Sequence, residues 1–192
     1  MEDDYDSEFR YQSGLISSLQ GLDPDRVVYI GTFSKILSPA LRLGYVILPP
    51  ALVERCKSLK WFTDLHTPSF EQLTLARFIH ERHLERHIKK MRKVYQARRD
   101  AMKASFAKEF AGKAKISGDS TGLHLIAEFA NTEFSEQKAA EITQHKVKVY
   151  PVELHAIAKG KHKNKIILGY GNSTIEEIEE GVRRLRCALD PI

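Results

Sequence analysis

Cysteine is scarce. Cys56 and Cys187 are the only two in 192 residues, they stand far apart, and both fall in helical patterns. That excludes a disulfide framework and leaves two thiols of the reduced, cytoplasmic kind. Long apolar runs are missing too, so nothing reads as a membrane span. Met1 leads into the acidic Glu2-Asp3-Asp4, not into a basic segment followed by an apolar one, so no secretory signal is expected. There is no Cys-x-x-Cys pair, Walker-type loop, Ser-His-Asp order, internal repeat or low-complexity segment. Metal chemistry has one weak foothold. His83 and His87 form an i, i+4 pair beside His80, which suits zinc on one helix face. No third ligand or H-E-x-x-H base accompanies them, and a basic helix face is the simpler reading.

What is present is enough for a core. Hydrophobic residues make up 42% of the chain, and its length fits one domain or two small ones. Lys and Arg (30) exceed Asp and Glu (25), for a formal charge of +5. Much of the excess lies between Arg82 and Lys115, around the helical pattern of Leu84, Ile88, Met91, Val94 and Tyr95. A charged outer face on an amphipathic helix accounts for it. A nucleic-acid-binding fragment is the rival, although it lacks interleaved exposed aromatics and any recognised motif.

Strand and helix patterns alternate along the chain. Residues 27–30 and 43–48 read as short strands, the second closed by Pro49-Pro50. A helix is expected over 51–61, another from the Thr67-Pro68-Ser69 break to about Arg82, and a long basic one over 84–110. Gly112 and Ser117-Gly118-Asp119 end the long helix. Strands are expected over 123–129, 147–152 and 165–170, and helices over 136–145 and 174–189. The last helix opens on a capping box, Thr174 with Glu177. Lys159 to Lys165 reads as a solvated loop. The alternation argues an α/β or α+β build.

The chemistry is concentrated in Gly31-Thr32-Phe33-Ser34-Lys35-Ile36-Leu37-Ser38-Pro39-Ala40-Leu41-Arg42-Leu43-Gly44-Tyr45, between the first two strands. A lysine on such a turn can form an imine with an aldehyde cofactor. Thr32 and Ser34 alternate with Phe33, so both hydroxyls can face one side of an extended segment. With Arg42 they can collect a phosphate, for which a forked guanidinium suits better than an ammonium. The bland alternatives are a surface lysine and turn hydroxyls bonded to local backbone.

This string resembles the lysine segment of class I/II aminotransferases, which are pyridoxal phosphate (PLP) proteins of fold type I. A second string, Glu2-Asp3-Asp4-Tyr5-Asp6-Ser7-Glu8-Phe9-Arg10-Tyr11, resembles MocR-type regulators of the GntR superfamily. Those carry an aminotransferase-like effector domain behind a winged helix-turn-helix. Leu19-Gln20-Gly21-Leu22-Asp23, His87-Ile88-Lys89-Lys90-Met91-Arg92, Tyr95, Arg98-Arg99-Asp100 and Gly122-Leu123-His124-Leu125 extend the likeness over nearly the whole chain.

The resemblance implies a partial fold type I structure. Residues 1–83 would be the C-terminal half of a large PLP-binding domain, and 84–192 a small C-terminal domain entered by the long helix. It implies Lys35 as the catalytic, cofactor-bearing amine. Asp3 would meet the pyridine nitrogen and keep the ring an electron sink, Tyr5 the ring hydroxyl, and Thr32, Ser34 and Arg42 the phosphate. Many relatives space the acid and tyrosine as Asp-x-x-Tyr. Here Asp3 to Tyr5 is Asp-x-Tyr, as in MocR-type proteins, so Asp4 stays a competing assignment. His124 reads as a packed or cofactor-side residue. One departure stands out: where the class usually carries a carboxylate-clamping arginine in its last strand, this chain has Ile167, with Lys165 two residues earlier.

The expected function is a PLP-binding effector domain that senses PLP or an amine such as an amino acid. The complete protein is expected to be a homodimer that touches DNA only through an N-terminal module missing from this sequence, which thus reads as a C-terminal piece or a truncated product. A working aminotransferase, with Lys35 also the general base, and an inactive remnant are the rivals.

Overall fold

The computed structural model describes residues 1–11 and 17–189. They form two compact units, Met1–Arg92 and Lys93–Ile192, with the division inside one long helix. The resemblance puts its domain boundary near the start of that helix.

The first unit holds β1 (Glu2–Asp4), α1 (Leu19–Leu22), β2 (Tyr29–Thr32), a 3-10 turn (Pro39–Leu41), β3 (Gly44–Ile47), α2 (Pro50–Asp64), α3 (Ser69–His80) and the start of α4 (His83–Phe110). Its sheet runs β1-β2-β3, with β2 parallel to β1 and antiparallel to β3. Gly31 lies opposite Tyr45. A Cβ at Gly31 would come 2.4 Å from the Tyr45 ring, so only glycine lets that ring lie across the strand. Tyr45 in turn packs against Tyr29 and Phe33, with ring centroids 6.0 and 5.3 Å away.

Two elements here carry no hydrophobic signature. β1 is acidic, and backbone pairing defines it, including Glu2 N–H to the Val28 carbonyl at 2.8 Å. α1 is a single turn capped from both near and far. The Ser18 hydroxyl accepts from Gly21 N–H, and the Glu2 carboxylate accepts from the amides of Leu19 and Gln20, each at 3.1 Å. A carboxylate there satisfies amides that a helix start leaves unpaired.

The second unit holds the rest of α4, then β4 (Ala114–Ser117), β5 (His124–Phe129), α5 (Glu136–Gln144), β6 (Tyr150–Pro151), α6 (Val152–His155), β7 (Lys165–Gly169) and α7 (Ile175–Leu189). Its sheet has the order β4-β5-β7-β6, with antiparallel neighbours. Alternation along β5 and β7 buries Leu125, Ala127, Phe129, Ile166 and Leu168. They share one core with Met102, Phe106 and Phe110 of α4 and with Ile178, Val182 and Leu185 of α7. Truncating a buried phenylalanine such as Phe106 to alanine costs about 3–5 kcal/mol. The expected capping box is in place: Thr174 N–H donates to Glu177 Oε2 at 2.8 Å, and Glu177 N–H to Thr174 Oγ1 at 3.2 Å.

The second unit departs from the sequence reading in two places. β4 occupies the stretch between Gly112 and Ser117-Gly118-Asp119, which the sequence reading gave only as the exit from the long helix. The strand expected over 147–152 is only Tyr150–Pro151, because Pro151, which has no N–H to offer a ladder, leads directly into α6.

Candidate cofactor site

The Lys35 turn is held from both sides. On its entering side Phe33 N–H donates to the Leu43 carbonyl at 3.0 Å, and Ser34 N–H to Thr32 Oγ1 at 3.1 Å. On its leaving side the amides of Leu37 and Ser38 both donate to the Phe33 carbonyl. Ile36 is the buried anchor, at 5% exposure. Lys35 itself is exposed, and its amine has no partner among the described residues.

Arg42 caps the 3-10 turn in the left-handed region, at φ 51° and ψ 29°. Its guanidinium is exposed, with no partner among the described residues. Thr32 closes β2, and its hydroxyl lies 3.4 Å from the Leu43 carbonyl while accepting from Ser34. Part of what the turn hydroxyls do is therefore local. The Ser34 hydroxyl has no partner among the described residues.

The two candidate acids differ in their commitments. Asp4 is occupied: it accepts from the Ser7 amide at 3.1 Å, the Ser7 hydroxyl at 2.5 Å and the Tyr29 hydroxyl at 2.9 Å. Burial first, then the bonds to Asp4 and Tyr45, push the Tyr29 phenol well above its ordinary pKa. Asp3 points to the opposite face of β1, is exposed, and has no partner among the described residues. Tyr5, two residues on, is raised above the ordinary phenol value by burial and then by Asp6 and Asp3, so it stays a proton donor at neutral pH.

Two residues of α4 reach these strings through backbone carbonyls. His87 Nε2 lies 3.0 Å from the carbonyl of Ile36, the residue after Lys35. Arg92 donates to the Glu8 carbonyl from Nε at 3.1 Å and from Nη2 at 2.8 Å. The sequence shows the string that contains both residues but not their partners. His83 is engaged elsewhere, with Glu81 at 3.1 Å and Arg86 at 2.9 Å. No group of three metal-ligating side chains occurs among the described residues.

In the second unit Ile167 lies on the half-exposed face of β7, in register with Ile126 and Tyr150. Lys165 faces Glu128 at 3.7 Å. His124 pairs across the strands with Gly169 and is half-buried. Among the described residues no helix is long and apolar enough to cross a membrane.

Comparison with known proteins matches residues 6–185 to the model of the aminotransferase class I and II family. The chain is 35% identical over 193 residues to YhdI, an uncharacterised HTH-type transcriptional regulator of Bacillus subtilis, covering all of this chain and 41% of that protein. It is 31% identical to a probable rhizopine catabolism regulatory protein, MocR, of Rhizobium meliloti, covering 98% of this chain and 38% of that one. Among solved structures, the α-aminoadipate aminotransferase LysN of Thermus thermophilus matches with a TM-score of 0.87 and 27% identity, over 98% of this chain and 49% of that one. The chain thus spans about two-fifths of the curated regulators it matches.

Proposed function

Because this chain belongs to the aminotransferase class I and II family, we propose that it is the C-terminal part of a PLP-binding effector domain in a MocR-type transcriptional regulator. Residues 1–83 would belong to the large domain of that fold and 84–192 to the small one. The observation that carries the reading is the Lys35 turn, with an amine, a serine hydroxyl and the Arg42 guanidinium that are uncommitted among the described residues, all on one short connection. This donor set fits PLP: an amine for its aldehyde, a forked cation with hydroxyls for its phosphate dianion, and a carboxylate for its ring nitrogen. Asp3 is the better carboxylate, since both oxygens of Asp4 already serve Ser7 and Tyr29. Tyr5 stays protonated and can donate to the ring oxygen.

When bound, PLP supplies an electrophilic aldehyde and an electron-accepting ring. The chain's own residues then hold and orient it. Sensing is favoured over turnover by Ile167, which offers no charge to a substrate carboxylate, and by Lys165, whose ammonium faces Glu128. The ligand would be PLP itself or an amine, the full protein a homodimer, and DNA contact the work of a helix-turn-helix module outside this sequence.

The test is chemical. Protein mixed with PLP and reduced with borohydride should carry the pyridoxyl group on Lys35, read by peptide mass mapping. Lys35→Ala should lose both this adduct and the visible absorbance. Undiminished absorbance in that variant, with labelling spread over other lysines, would refute the assignment.

A further inference from the structure

We propose that His87 is a positioning residue for Lys35, holding the cofactor-bearing turn from outside through the Ile36 carbonyl. This rests on the reading of Lys35 given above. The bonds that shape the turn on its own account all converge on Phe33, Thr32 and Leu43. One of them holds the Leu37 N–H end of the Ile36–Leu37 peptide, but none of them reaches its carbonyl end. The Ile36 carbonyl has one partner among the described residues, His87 Nε2 at 3.0 Å. Ile36 is buried, and a buried carbonyl without a donor is costly, so this bond completes the hold on a peptide whose N–H end is already bonded to Phe33. That peptide lies one residue beyond the Lys35 Cα, so holding both of its ends steadies the backbone from which the Lys35 side chain projects.

The chemistry of the contact is simple. A carbonyl only accepts, so His87 must carry its proton on Nε2, and both the neutral tautomer and the imidazolium satisfy that. The contact is therefore insensitive to His87 ionisation but sensitive to the reach and polarity of the side chain. Glutamine places an N–H at nearly the same distance from the backbone as Nε2. Asparagine is too short, and leucine has no donor. Arg92 makes a parallel hold farther along the helix, on the Glu8 carbonyl next to the fully buried Phe9. The first three turns of α4 thus grip a peptide close to each of the two cofactor strings.

Two measurements on the full 192-residue chain test this. Without any cofactor, amide hydrogen exchange at Leu37 and Ser38 should speed up about ten-fold in His87→Leu and His87→Asn and stay near wild type in His87→Gln. With PLP and borohydride, the yield of mapped adduct on Lys35 should fall by about the same factor in the first two variants and recover in His87→Gln. His87→Asn keeps the experiment decisive if His87→Leu misfolds. Equal exchange and equal Lys35 labelling in all variants would overturn the positioning role and leave the cofactor reading intact. Equal loss in His87→Gln would overturn it as well, since the donor would not be what matters. Wild-type protein that shows no preference for Lys35 would refute the cofactor reading instead, and the exchange data would still decide whether His87 holds the turn.

Discussion

Arg42 answers to two demands at one backbone position. Its φ of 51° costs a non-glycine residue about 1–2 kcal/mol, so the guanidinium sits where glycine would be easier. Arg42→Lys keeps the charge but loses the fork. It should weaken PLP by about 1.5–3 kcal/mol and leave pyridoxal, which has no phosphate, almost unchanged. Titrating both ligands by absorbance checks this, and equal losses would rule out a phosphate contact. Asp119 answers to pH. A bond from Lys103, aided by its charge, holds the Asp119 carboxyl below its ordinary value, and the Asp119 carbonyl accepts from Arg99 at 3.0 Å. A depressed folded-state pKa means that the ionised group binds fewer protons in the native state than in the unfolded one. Its contribution is therefore complete above the unfolded value near 3.8 and is lost as pH falls through the lower folded value. Urea midpoints of the second unit should drop between about pH 5 and pH 2, and Asp119→Asn should flatten that limb while lowering stability at pH 7.

At the scale of elements, β7 carries the question of turnover. Its half-exposed face offers Ile167 between Ile126 and Tyr150, and the lysine on that face is turned to Glu128. Transamination of ordinary amino donors with 2-oxoglutarate should stay well below about 1 s⁻¹ in a steady-state keto-acid assay. Turnover at or above that rate would mean that a carboxylate-binding cation comes from another element. The elements that sequence reveals are those whose burial has a period. The alternation of β5 and β7, the long stripe of α4 and the capping box of α7 are all visible as patterns of side chains. β1 and α1 were hidden because backbone pairing and a capping carboxylate make them, and neither buries an apolar side chain. β6 shrank because Pro151 cannot extend a ladder. The same division holds for the site. Lys35, Thr32, Ser34 and Arg42 stand in one string and can be read as chemistry. His87 and Arg92 could not be assigned, because their partners are carbonyls 51 and 84 residues away, and any residue supplies a carbonyl.

At the scale of the molecule, apolar burial is divided unequally. α2 buries no residue and α3 only Leu75, while Phe62 and Phe70 are 83% and 79% exposed. Such faces, together with an edge of β1 that no strand among the described residues pairs, favour association. The 192-residue chain should therefore self-associate in a concentration-dependent way in sedimentation, and its backbone amides before Arg82 should exchange faster than those after it. A monodisperse monomer with uniform protection would contradict both expectations. The single continuous core of the second unit has a further, calorimetric consequence. Heat absorbed on unfolding scales with the surface that a cooperative core exposes, and among the described residues the continuous core lies in the second unit. The melting endotherm should belong almost wholly to residues 93–189. The enthalpy per residue, averaged over the chain, would then fall short of the value usual for globular proteins, and the first unit would soften without a peak of its own.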